Sequence, residues 1–282
     1  MDEASAMTKS RVSTLSHIGI IAKYNFVNYF RARRFYAMLI IVLLVGGLLT
    51  FAIGYYKPPA LLQGGALGFY AAGWGSFATL LVILSTAFFG GDAVSAEFQN
   101  KTGYFLVPNP IRRSSIYVGK WIAALAASTI ILALYVLMIL GNAIYYFGTT
   151  VPSEFLQSVL FGWIYLIAAL SLAFAFSSLF RSSAISILMS VIMLLFVFDI
   201  IDTVASTLAG IEPWFSITYG AGIISNVLTT PYPMHEVMEK LGPRFSLTTF
   251  NATIPEGLAI LGVYFVVTAV IGLLLFQRKE FT

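Results

Sequence analysis

Long apolar runs alternate along this chain with short polar segments rich in basic residues. A helix needs about 20 mostly apolar residues to cross a bilayer. Six stretches meet or approach that length: residues 35–53, 65–89, 121–147, 155–180, 184–201 and 258–276. The fifth is the shortest. The second is glycine-rich in its first half (Gly65, Gly68, Gly73, Gly75), a composition that permits either close helix approach or loosened packing. The pattern predicts an all-α polytopic membrane protein with six transmembrane helices.

The intervening segments have their own patterns. Residues 1–34 form a polar, basic N-terminal segment, followed by a transmembrane domain over 35–277 and a short tail, 278–282. No short apolar region falls early enough for a cleavable signal peptide. Within 15–34, Lys23, Asn25, Asn28, Arg31 and Arg34 share about half of a helical wheel, and Ile18, Ala22, Tyr29 and Phe30 lie largely opposite. This fits an amphipathic helix at the membrane surface and equally a plain basic topology anchor. Residues 202–257 form one long region between the fifth and sixth spans, where apolar pieces are broken by Gly220, Gly222, Pro231 and Pro233. These pieces are too short to span, so re-entrant or interfacial helices are expected. A short surface helix is expected over 234–241.

Composition agrees with the pattern. Of 282 residues, 59% are hydrophobic and 10% charged, against about 25% charged in a soluble domain. The basic residues set the orientation, because Lys and Arg stay preferentially on the cytoplasmic side. With the N-terminus inside, thirteen of the sixteen Lys and Arg residues are cytoplasmic, and only Lys57, Lys240 and Arg244 are outside. An odd number of spans would put Arg278 and Lys279 on the wrong side, so both termini are expected in the cytoplasm. The net charge of +4 follows this topology and implies no nucleic-acid partner.

Chemistry-bearing residues are sparse. There is no cysteine, and the two histidines, His17 and His235, do not suggest a His-rich metal site, so no metal is expected. No phosphate-binding Gly-x-x-x-x-Gly-Lys-Ser/Thr loop occurs. Asp199 and Asp202 stand at the outer end of the fifth span, where they face water or form part of an outer gate or substrate path. Glu154 and Glu256 are expected to be solvated at span boundaries. Asn251-Ala252-Thr253 matches the glycosylation acceptor pattern on the expected outer side.

The most informative segment is the cytoplasmic loop 91–120. Residues 92–104 are polar and helix-compatible, Val107-Pro108-Asn109-Pro110 breaks the chain, and 112–120 reads as a helix entering the third span. Glu97 and Lys101 are spaced to pair on a helix or with a partner's charges. Phe98 and Phe105 read as exposed aromatic anchors. Arg112 and Arg113 read as membrane-surface anchors.

Counting from Glu97, the chain has Thr102, Leu106, Pro110, Arg113, Ile116, Gly119 and Lys120 at offsets 5, 9, 13, 16, 19, 22 and 23. In this register the loop resembles the first cytoplasmic loop of ABC-2 type transporter permeases. Lys101 departs from the family pattern, which commonly has glycine there. The resemblance implies a coupling helix that docks on a separate ATPase subunit through Ser95, Glu97, Phe98, Lys101, Thr102, Tyr104 and Phe105. It also implies two copies of that ATPase, a second permease half, and ATP and Mg bound by the ATPase and not by this chain. The expected role is the membrane subunit of an exporter in the cell membrane, itself not an enzyme. The alternatives are a non-transporting complex that works mechanically on an outer partner, an ATP-independent transporter or channel, and a lipid-modifying membrane enzyme. The last two lack the polar spans and the clustered acids they would need.

Overall fold

The computed structural model describes residues 14–58, 65–100, 112–240 and 246–279. Its first helix is α1 (Thr14–Arg31). Six further helices are long and apolar enough to cross a membrane: α2 (Arg33–Tyr56), α3 (Gly65–Gln99), α4 (Arg113–Phe147), α5 (Ser153–Leu179), α6 (Ser183–Leu208) and α9 (Ile254–Arg278). Between α6 and α9 lie two short helices, α7 (Ile217–Ala221) and α8 (Ile223–Asn226), and an antiparallel hairpin of β1 (Glu236–Lys240) and β2 (Ser246–Phe250).

All six expected spans are present. Most of α3 and α5 is buried, whereas only about a fifth of α2, α6 and α9 is. The exposed faces are apolar: Leu43, Leu44 and Leu48 on α2, Leu188 and Phe196 on α6, and Val263, Val267 and Val270 on α9. Such faces are tolerated in lipid, where an outward Leu or Val loses nothing by its exposure. The inner pair is joined by polar atoms as well as by packing. The fully buried Trp74 of α3 donates its indole N–H to Ser158 Oγ of α5 at 2.8 Å, and Ser158 donates in turn to the carbonyl of Ile224 in α8. A π turn at Ala71–Gly75 interrupts α3. Within it the Gly73 carbonyl accepts a hydrogen bond from the Tyr135 hydroxyl of α4 at 2.6 Å.

Half of the glycine set works as close-packing positions. An added Cβ at Gly73 would meet Ile139 at 3.1 Å and at Gly75 would meet Leu228 at 3.3 Å, while Gly65 and Gly68 face open space.

Three expectations are corrected. First, the fifth span does not stop near residue 201. Through π turns at Met193–Val197 and Val204–Leu208 it continues to Leu208, so Asp199 and Asp202 lie inside the helix and not at its end. Second, the short surface helix expected over 234–241 is absent. Residues Glu236–Lys240 are a strand, with Val237 opposite Thr249 and Met238 opposite Thr248. An isolated helix of that length cannot repay its nucleation cost, while Ser246–Phe250, with two threonines and a phenylalanine, supplies a β-prone partner. Third, the hairpin makes the fold predominantly, not wholly, α-helical.

The apolar pieces between α6 and α9 form α7 and α8, whose Ile217, Ile223 and Ile224 are fully buried. They pack on α9 and α5. Gly220 and Gly257 allow α7 to cross the start of α9 almost backbone to backbone, since a Cβ on Gly257 would sit 2.8 Å from the Gly220 carbonyl.

Candidate functional site

The ends of the spans that carry the basic residues meet around the last two turns of α3. Asp92, almost fully buried, forms an ion pair with Arg34 at the start of α2. Glu97 pairs with Lys120 of α4 at 2.6 Å, and the same Lys120 Nζ donates to the Ala93 carbonyl at 3.0 Å. The backbone N–H groups of Val94 and Ser95 donate to Ser177 Oγ of α5 at 2.9 and 3.0 Å. Gln99 Oε1 accepts the N–H of Ser183 at 2.8 Å and so caps the first turn of α6. Phe98 lies under Lys279, whose Nζ is 4.2 Å from the ring centroid, just beyond α9. One eight-residue stretch therefore touches all five of the other spans or their immediate ends.

Buried charges are costly unless paired and hydrogen-bonded. Lys120 is only 7% exposed, and both of its contacts are to α3, so its position fixes where α3 ends relative to α4. The residue before it explains how α1 fits. At Gly119 a Cβ would stand 2.8 Å from Ile21 Cγ2 and 3.1 Å from the Ile18 carbonyl. Glycine there lets α1 lie directly on α4. Tyr29 of α1 then reaches Phe89 of α3, donating its hydroxyl to the carbonyl at 2.8 Å. Burial pushes the Tyr29 phenol well above its ordinary range. A cleft of about 190 Å³ remains between α1 and the end of α3, lined in part by Asn25, Asn28, Arg34, Asp92 and Lys120.

Several sequence-based assignments change here. Phe98 is half-buried against the core and not an exposed aromatic, because Lys279 and its neighbours cover it. Glu97 is paired with Lys120. Arg113 is more than a surface anchor: its Nη1 donates to the carbonyls of Gln277 and Lys279 at 2.8 and 3.2 Å, tying the start of α4 to the end of α9. Asn25, expected on the polar face of α1, is half-buried and donates to the Ile21 carbonyl. Ser95 and Ile116 are buried. Lys101, Thr102, Tyr104, Phe105, Leu106 and Pro110 lie outside the described residues.

Lys279 donates to the carbonyls of Ser178 and Phe180 at 3.0 and 2.7 Å. Burial, with the nearby Arg181 charge adding to it, lowers its ammonium pKa to about 8.

Beside α6, the exposed Asp199 lines an open cleft of about 250 Å³ together with Thr79, Tyr165 and Thr218. Asp202 accepts a hydrogen bond from Thr218 Oγ1. The buried Tyr165 hydroxyl has no partner among the described residues.

At the far end the structure gathers residues that their spacing does not connect. Glu212 follows α6, His235 precedes β1 and Glu256 opens α9, and one ligand atom from each lies within 4.8 Å of the others. Tyr219 donates to Glu212 Oε1 at 2.7 Å. Burial raises the Glu212 pKa, but the hydrogen bonds it shares with Glu256, Tyr219 and His235 outweigh this and hold it below the usual carboxylate range. Asn251 directs its side-chain amide to the Met234 carbonyl at 2.9 Å, beside this group.

Residues 19–281 match the family model described as ABC-2 family transporter protein. The chain is also similar to an uncharacterised membrane protein, YdbK, of Bacillus subtilis (strain 168), with 26% identity over 186 residues, covering 60% of this chain and 69% of that protein.

Proposed function

This chain belongs to the ABC-2 family of transporter proteins, and on that premise we propose that it is the permease half of an ATP-driven exporter. It is a multi-pass membrane protein with six apolar helices. In the proposed arrangement both termini lie in the cytoplasm, in accord with the distribution of Lys and Arg. The helix α1 then lies along the inner membrane surface, with Ile20, Tyr24 and Val27 exposed on one face toward it. Two such halves join in the cell membrane, and two copies of a separate ATPase subunit bind ATP and Mg beneath them.

The observation that carries this reading is the stretch from Asp92 to Gln99. It is linked to the ends of all the other spans through Arg34, Lys120, Ser177, Ser183 and Lys279. A docked ATPase that displaced this stretch would displace the whole bundle, as a coupling helix must. Ser95, Glu97 and Phe98 serve mainly to fasten it, and the remaining docking contacts fall to Lys101, Thr102, Tyr104 and Phe105.

The buried packing of α7 and α8 on α5 and α9 favours one second reading. The same motion would reach the outer region and act mechanically on a partner there. Under either reading, affinity purification of the full chain from its own membranes should retain an ABC ATPase whose ATP hydrolysis the chain alters. Recovery of the chain without any ATPase, even after cross-linking, would sink both readings. Uptake into inverted vesicles with candidate substrates then separates export from mechanical work.

A further inference from the structure

We propose that Glu212, His235 and Glu256 form a site for one divalent transition-metal ion of the zinc type at the end of the bundle opposite the Arg34–Asp92 and Glu97–Lys120 pairs. The inference is independent of the transporter reading.

Three features carry it. The first is geometry. Zinc bound tetrahedrally to nitrogen and oxygen at about 2.1 Å holds its ligand atoms about 3.4 Å apart. His235 Nε2 and Glu212 Oε1 are 3.3 Å apart, and all three ligand atoms fall within 4.8 Å. A small side-chain adjustment of the widest pair completes the triangle.

The second is the orientation of the imidazole. His235 Nδ1 is 3.0 Å from the Asn251 carbonyl. That carbonyl can only accept, so Nδ1 donates to it, and Nε2, which faces Glu212 Oε1 across 3.3 Å, is the nitrogen left to give its lone pair to an ion in place of that contact. Metal-bound histidines are held in this way, with the second ring nitrogen donating to a carbonyl or carboxylate. The support is itself rigid: Asn251 N–H donates to the His235 carbonyl at 2.8 Å, and the Asn251 side chain to that of Met234. Glu212 is held by the Tyr219 hydroxyl, and Glu256 by the backbone N–H of Thr253.

The third is charge. Two carboxyl groups converge on one imidazole, and a single divalent cation would balance both of them once they bind it. The mixed nitrogen–oxygen donor set favours a borderline ion over calcium or magnesium, which prefer oxygen alone. Three protein ligands leave a fourth position, and the half-exposed His235 leaves it open to water. The bound ion would fasten the segment after α6, the hairpin and the start of α9 to one another.

The test uses the full chain, purified in detergent without a polyhistidine tag and stripped with chelator, then titrated with zinc chloride by calorimetry. One zinc per chain is expected, with excess calcium failing to compete. H235A and E212Q should each weaken binding by about tenfold or more, and H17A should leave it unchanged. A variant that elutes aggregated is replaced by E256Q, whose amide keeps the helix cap. Equal zinc affinity in the native chain and in H235A and E212Q, or no saturable binding to the native chain, overturns the proposal.

Discussion

Lys120 Nζ stands 2.6 Å from Glu97 Oε1 and joins α4 to the end of α3 in a setting where neither group is freely hydrated. Removing one partner leaves the other charge buried. Lys120→Met should therefore destabilise the protein by about 3 kcal/mol, and Lys120→Met with Glu97→Leu by distinctly less. A double-mutant cycle of denaturant or thermal melts in detergent measures the difference. Additive losses would show that the pair contributes no interaction of its own.

Gly119 is predicted to be the most size-sensitive position on α4. Gly119→Leu would drive a side chain into Ile21 and the Ile18 carbonyl. Overpacking of this kind costs about 1–3 kcal/mol, and here it acts by lifting α1. Limited proteolysis within α1 should accelerate strongly, while Gly68→Leu, which faces open space, should leave the cleavage pattern unchanged.

Lys279 should lose its proton near pH 8. Its folded pKa is lowered to about 8 from 10.5, so between those values the unfolded chain binds more protons than the folded one. Stability from this group therefore rises with pH across that window, and below about pH 8 the buried ammonium opposes folding. Competitive amine labelling read by mass spectrometry should show Lys279 half-reactive near pH 8. The hold of its ammonium on the Phe98 ring should fade over the same range.

Ser158 is predicted to matter more than its size suggests. Ser158→Ala removes the acceptor of the Trp74 indole N–H and the donor to the Ile224 carbonyl together. Leaving a buried polar group unpaired costs about 1–3 kcal/mol. Adding Trp74→Phe to that variant should cost less than Trp74→Phe in the native chain, because the orphaned N–H is then gone. Melts of the three variants check the ordering.

The spans could be read from the sequence because each is a run of apolar residues long enough to stand alone as a signal. The ABC-2 family could also be read there, from the residues between Glu97 and Lys120. The physical tasks of Gly119 and Lys120 were not, since the first depends on α1 folding back and the second on a pairing between two different helices. Phe98 looked exposed because nothing local announces that residue 279 returns to cover it. The hairpin was misread because Glu236, Glu239 and Lys240 are helix-favouring residues, and only the pairing with Ser246–Phe250 makes the segment a strand. Glu212, His235 and Glu256 stand on three separate segments, so only their convergence in space gives them a chemical meaning.

The π turn at Ala71–Gly75 winds one more residue into its rise than an α turn does. It is thus a small reserve of chain length within α3. Winding it back to α geometry would lengthen the helix by about 1.5 Å and rotate everything beyond it by about 100°. Such a change would first have to break the Tyr135 bond to the Gly73 carbonyl. The end of α3 that would turn is the one carrying Asp92 and Glu97. That hydroxyl ties the turn to α4, and a Tyr135→Phe chain is one in which the tie is absent.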